Sequence, residues 1–236
     1  TLGSLAWALT YACHLSLIAV SGDFLGLQSD SNLCEISIVF ATLALVRTSA
    51  HEVESAVAAL GVLRWLAARK MLGCGLCKYH GSSMWRAGTA MEVHYWTQPL
   101  PNPLSAWAHH LPRVTHRLAV LGTLAVELVL PTLSYARLWP ARLFAFVGFV
   151  GLNCAINLTG NYGFIGALSI VESLSLLDDE MLPSAMRYGT HAGQTSAAVD
   201  GGAVAMAAAF IAYVIRALAL LLLCAYILAS LPPLSQ

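Results

Sequence analysis

The stretch VESAVAALGVLRWLAARKMLGCGLC, residues 53–77, decides the fold. It is apolar over a length sufficient for a bilayer, which takes about 20 such residues to cross. Yet it holds Arg64, Arg69 and Lys70. On a helix these point at about 0°, 140° and 240°, so no single dry face is left. Each such charge costs about 3 kcal/mol at the bilayer centre. Two arrangements answer that cost. The cations are buried against acids of neighbouring helices, with Glu35, Glu127 and Glu172 as candidates, or the helix rides close to the interface. Charges in such a place mark either a functional site or structural pairs that hold a bundle together.

Six more apolar runs flank this one, at 3–20, 33–46, 118–136, 138–158, 163–177 and 202–229. The expected fold is all-α: a polytopic membrane helical bundle of six or seven transmembrane helices in one domain. Composition agrees. Of 236 residues 58% are hydrophobic and 10% charged, against roughly a quarter charged in soluble domains, and mean hydropathy is +0.71. A net charge of zero leaves no basic field for nucleic acid. The chain opens at Thr1 without an initiator methionine, which reads as a processed chain or a fragment. Its first run lacks the basic flank and small-residue cleavage site of a signal peptide. Arg216 in the last run poses the same problem as Arg64. Arg47, Arg137, Arg142 and Arg187 fall on one side of the bilayer, and Lys78, Arg86, Arg113 and Arg117 on the other. That balance leaves orientation open.

The six cysteines lie in or beside apolar runs, poor ground for a disulfide framework. Cys74 and Cys77 have no second pair with which to complete a zinc site. No Gly-x-Ser-x-Gly elbow, phosphate loop or dinucleotide fingerprint is present.

Between the third and fourth runs, residues 78–117 leave the apolar pattern. Pro99, Pro101 and Pro103 alternate there, fixing φ at three positions and restricting the residue before each. The strip from Gln98 to Pro103 is therefore stiff and extended. A short helix over 104–110 follows, carrying Trp107, His109 and His110 and stopped by Pro112. Such rings belong at headgroup level, where one end is dry and the other wet. The segment reads as a rigid surface-lying or re-entrant cap over one end of the bundle. No carboxylate at ligand spacing supports a metal at His94, His109, His110 or His116. Between the fifth and sixth runs, Gly160-Asn161-Tyr162-Gly163 predicts a tight hairpin whose glycines permit positive φ. Asp178, Asp179 and Glu180 mark the opposite boundary as a hydrated helix end.

Four stretches carry a resemblance. MEVHYWTQPLPNPLS (91–105), RWLAARKMLGCGLCK (64–78), LTGNYGFIGALSIVESLSLLDD (158–179) and HLSLIAVSGDFLGLQSDSNLCE (14–35) resemble, in order, segments of the lipase maturation factor family. The last of these carries over Asp23, Phe24, Gln28, Asp30 and Glu35. The likeness covers residues 7–182. It implies a family transmembrane core over 1–182, a Gly/Ala/Ser-rich connection over 183–201, and a C-terminal helix and tail over 202–236. The chain departs from the family at Trp96, where a glutamate is usual, at Ser29 for a tryptophan, and at Ser83-Met84 for Asp-Pro. The family's large soluble C-terminal part has no counterpart here.

The resemblance implies a non-catalytic multi-pass protein of the endoplasmic reticulum that helps client lipases fold and assemble. The surface offered to clients or partners would be His94, Tyr95, Thr97, Gln98, Pro99, Pro101, Pro103 and His110. It needs no cofactor beyond surrounding lipid and binds no nucleic acid. An alternative is a permanent accessory subunit of a respiratory or photosynthetic complex in the mitochondrial inner or thylakoid membrane. There His94 or His110 would ligate a pigment, and small-residue surfaces such as Gly201-Gly202-Ala203 would suit close helix packing. A third reading is an intramembrane enzyme, following the family's distant likeness to the transmembrane part of vitamin K-dependent carboxylase. Arg64, Lys78 and His94 would be its first suspects.

Overall fold

The structure, a computed structural model, describes residues 2–21, 28–46, 52–98, 100–178 and 181. The expectations for Asp23, Phe24, Arg47, Pro99, Asp179, Glu180, Arg187, the connection at 183–201, Gly201–Ala203, Arg216 and the run at 202–229 lie outside these residues, as does the side chain of Gln28. The described residues form helices and no strand. In chain order they are α1 (Leu2–Ser21), α2 (Gln28–Val46), α3 (Glu52–Gly81), α4 (Ser83–Ala87), α5 (Ala90–His94), α6 (Pro103–His109), α7 (Arg113–Leu124), α8 (Leu130–Leu133), α9 (Trp139–Thr159) and α10 (Ile165–Ser173). A π-helical turn, Ala125–Val129, joins α7 to α8, and a 3₁₀ turn, Leu174–Leu176, ends α10.

Length and hydropathy together single out two of these elements. Arg113–Leu133 and Trp139–Thr159, each 21 residues, are long and apolar enough to cross a membrane, and Leu5–Ser21 and Ile165–Leu176 are apolar but shorter. The sequence predicts six or seven spans, whereas among the described residues two meet that test. The remainder are short or, like α3, interrupted by charge.

The burial pattern is the reverse of a soluble domain's. Leu118, Leu121, Phe144 and Val147 are more than half exposed on the outside of α7 and α9, while Lys70, Thr123, Glu127, Asn153, Ser169 and Glu172 are buried. In water an apolar exterior of this kind would be an aggregation surface, and in lipid it is the natural one.

Inside, α3 lies against α2, α10 and the π turn, and α9 against α10 and α8. One core cluster joins Ala67 and Met71 of α3 to Leu130, Ala145, Phe149 and Leu176. A second joins Ile36 and Val39 of α2 to Leu66. At the α1–α2 contact Trp7 stacks on Phe40, ring centroids 5.3 Å apart. Glycine sets the closest approaches: a Cβ on Gly148 would collide with Leu130, and one on Gly75 would lie 2.8 Å from Glu127 Cβ. Pro131 gives a reason for the π turn. It has no N–H for the carbonyl of Glu127, and its ring would crowd that carbonyl in a regular helix, so the helix widens one turn earlier.

The cations of α3 each meet an acceptor. Arg69 pairs with Glu35 of α2, and Lys70 with Glu172 of α10, a pair nearly inaccessible on both sides. Arg64 meets none of the three acids named from the sequence. It donates to the Ser175 carbonyl at 2.9 Å and to Asp178 at 3.3 Å. Glu127 instead takes Lys78, at 2.5 Å. Asp178 also receives Arg142, so it is an internal anchor and not a merely hydrated helix end. Breaking one buried pair strands a charge, at a cost of about 3–5 kcal/mol, whereas an apolar pair of similar volume is tolerated. Glu172→Gln should therefore lower the thermal midpoint of the purified chain in detergent sharply. Lys70→Met combined with Glu172→Leu should restore most of the loss, and a double variant no better than the single one would show that the pair is not what stabilises this contact.

Candidate functional site

The proline strip and the hairpin turn, distant in sequence, are stitched together. The last carbonyls of a helix have no partners within it, and α9 ends at Thr159. Gln98 Nε2 donates to the Thr159 carbonyl and Asn102 Nδ2 to the Leu158 carbonyl, both at 3.0 Å. Asn161 Nδ2 returns a bond to the Leu100 carbonyl at 3.0 Å, and Tyr162 Oη shares a hydrogen bond of 3.0 Å with His94 Nε2. The strip thus caps α9 with side chains about 60 positions upstream, as their separations of 61 and 56 residues show.

Local sequence shapes both halves of this cap. Asn102 accepts from Ser105 N at 2.8 Å, Ser105 Oγ accepts from Asn102 N at 3.0 Å, and Pro103 takes the first helical position of α6. That capping box starts the helix one residue earlier than the predicted 104. In the hairpin only Gly163 takes the left-handed region, at φ 65°. Gly160, expected to share that role, is extended at φ −162°. Its lack of a side chain makes room, because a Cβ there would lie 2.7 Å from Gln98 Oε1 and against the Tyr162 ring.

The other predicted surface residues are spread out. Tyr95 packs its ring on His116 at 5.8 Å, Thr97 donates to the Val93 carbonyl at 2.9 Å, and Pro101 and His110 face outward. Trp96, the departure from the family pattern, is exposed and stacks on His109 at 4.9 Å. His116 Nε2 approaches the His109 carbonyl at 3.3 Å. Among the described residues no three His, Cys, Asp or Glu side chains converge as a metal site.

Beneath the cap lies a cavity of about 210 Å³. Lys70, Met71, Cys74 and Lys78 of α3 form one wall, a stripe at helical spacing. His94 and Tyr162 come from the cap, and Thr123 and Glu127 from α7 and the π turn. Lys78 Nζ bonds Glu127 Oε1 and sits 5.6 Å from the Trp85 ring centroid, a cation–π distance. His94 lies outside the predicted spans. Burial, and then the nearby Lys78 ammonium, hold its pKa below the ordinary 6.5, so it is neutral at physiological pH. Burial pushes the Tyr95 and Tyr162 phenols up, the latter helped by Tyr95.

The structure therefore brings together His94, Gln98, Gly160, Asn161 and Tyr162, and separately Glu127 with Lys78. Sequence reasoning did not assign Asn102, Asp178, Lys78 or Arg142 these roles. The first was legible as an N-cap before Pro103, and Lys78 as the end of the stripe that begins at Lys70.

A model of the lipase maturation factor transmembrane domain matches residues 2–184. Lipase maturation factor 2 of Homo sapiens is 34% identical over 196 residues, 78% of this chain and 28% of that protein. Lipase maturation factor 2 of Gallus gallus is 36% identical over 199 residues, 82% and 28%. Lipase maturation factor 1 of Homo sapiens is 31% identical over 182 residues, 75% and 32%. The chain thus spans less than a third of the length of these relatives. No solved structure matches it.

Removing a side chain that satisfies a buried carbonyl costs about 1–3 kcal/mol. Gln98→Ala and Asn102→Ala should each raise amide hydrogen exchange in the last turn of α9 without altering α2, and equal exchange in wild type and variants would remove the cap from the account. The depressed His94 pKa carries a sign. The unfolded state holds more protons in the window below 6.5, so stability from this residue is complete above that value and is lost as pH falls through the folded pKa. Protection of residues 94–98 should therefore decline on acidification, and His94→Asn should flatten that decline.

Proposed function

We propose a function from one fixed premise: this chain belongs to the lipase maturation factor family, as the membrane domain of such a protein. In our reading it is a non-catalytic, polytopic element of the endoplasmic reticulum membrane that supports the folding or assembly of client lipases. The observation that carries this reading is the hydrogen-bonded cap. Two of the segments that resemble the family, 91–105 and 158–179, meet there through Gln98, Asn102, Asn161 and Tyr162. A rigid surface at headgroup level suits a domain that holds other parts in place and turns nothing over. We assign α1, α2, α3 and α10 to the bilayer beside the two helices of membrane length, with the ion pairs of α3 making that placement tolerable. The relatives' names favour neither a respiratory nor a photosynthetic subunit.

The test is a chimera, because the chain is shorter than its relatives. In cells lacking their own lipase maturation factors, this chain replaces the matching segment of human Lipase maturation factor 2, and a secreted lipase is co-expressed. The chimera should restore active lipase in the medium, and Gln98→Ala/Asn102→Ala should reduce it several-fold at equal chimera levels. A chimera that is stably present in the endoplasmic reticulum membrane and yields no active lipase would overturn the proposal.

A further inference from the structure

We propose that the cavity beneath the cap holds an aliphatic acyl chain whose acyl oxygen is bound by the ammonium of Lys78. Lys78 lines that space, and its side chain is 27% exposed. An ammonium carries three N–H donors. One goes to Glu127 Oε1 at 2.5 Å. The Trp85 ring, its centroid 5.6 Å from Nζ, meets the charge with its face and supplies no acceptor atom. Among the described residues Nζ has no other acceptor. The second oxygens of the neighbouring acids, Glu127 Oε2 and Glu172 Oε1, are sealed and accept nothing, so they offer the space no acceptor either. The surplus at this site is therefore one of donors, held on a cation, where hydrogen bonds are of the stronger kind.

The remaining walls decide what carries the acceptor. Four other polar side chains at the space are engaged: Lys70 with Glu172, His94 Nε2 with Tyr162 Oη, Ser169 Oγ with the Ile165 carbonyl and Asn153 Nδ2 with the Phe149 carbonyl. Met71, Met91, Leu152, Ile156 and Ile165 add an apolar lining. A small hydrated anion would exchange water for those walls at a loss. A molecule with one polar head and an apolar body fits both halves of the site. Size then sets the body. The space is about 210 Å³, against about 150 Å³ for a cavity that takes up benzene. It admits a narrow chain and leaves no room for a fused ring system. The unbranched, flexible side chains of Met71 and Met91 suit a chain that bends. Free fatty acids and the esters of glycerolipids both present Lys78 with such an oxygen.

The test uses the full chain in nanodiscs with a diazirine-bearing long-chain fatty acid, photocrosslinking and peptide mapping. The label should fall on α3, α9 and α10 peptides at the cavity. Oleate or methyl oleate should displace it about tenfold better than 1-octadecene, which has the chain and no acceptor. Displacement by oleate alone identifies the carboxylate of a free acid, and displacement by both shows that an ester carbonyl suffices. Lys78→Met combined with Glu127→Leu replaces the ion pair by apolar side chains of similar volume, a change that folds tolerate. It should abolish the tenfold preference while the chain still binds. Ile165→Phe fills the space without touching either ion pair and should abolish the label. Equal displacement by 1-octadecene, a preference that survives the double change, a label that survives Ile165→Phe, or no saturable label on the wild-type chain (the outcome if only water meets Lys78) would each overturn the assignment. The site rests on this chain's own geometry, so failure here leaves the chimera result untouched.

Discussion

A single helix carries four cations toward its neighbours, and the rest of the bundle is arranged around that fact. Arg64, Arg69, Lys70 and Lys78 stand at different heights and angles on α3, and each meets its own acceptor: Asp178, Glu35, Glu172 and Glu127. These acceptors belong to different elements, so α2, α10, the π turn and the end of the chain's sixth apolar run are each held to α3 by a charge. Hydrophobic burial cannot specify such an arrangement in lipid, where the surroundings are as apolar as the side chains. Charge pairs can, because a shifted register would strand both partners. Asp178 extends the logic by receiving Arg142 of α9 as well as Arg64.

The cap solves a related problem at the end of α9. A helix that stops at the edge of a bilayer exposes carbonyls where water is scarce. Glycine and a local turn usually deal with them. Here α9 is finished from outside by Gln98 and Asn102, whose amides can donate where Asp or Glu could not. Proline stiffness in the donor strip limits the entropy lost on docking, and Gly160 leaves the space that Gln98 occupies.

The all-helical class was readable from the apolar runs, and the need for internal acids was readable from Arg64, Arg69 and Lys70. The pairing was not. It depends on which way Glu127 faces, and that is set by a π turn whose only trace in sequence is Pro131, four positions on. Periodicity arguments assume a regular helix, and one widened turn redirects every side chain after it. Gly160 was misread for a different reason. Its neighbour Gly163 does need positive φ, but Gly160 makes room for the Tyr162 ring and for Gln98, and the second of these lies 62 positions away, beyond any local window. Of the six or seven spans read from hydropathy, two described helices have the length and apolarity to cross a membrane, while the others are short or carry charge and the run at 202–229 lies outside the described residues.

The stripe of α3, the widened turn and the cap converge on one space, and this links features that look separate. His94 contributes to the cap through Tyr162 and to the cavity wall beside Lys78. Lys78 in turn holds Glu127 and stands over Trp85. Any change of charge at His94 therefore acts on the cap and on the cavity together, and any molecule entering the cavity touches groups that hold the cap. The two motif segments are joined through a polar cluster of four hydrogen bonds, made by Gln98, Asn102, Asn161 and Tyr162.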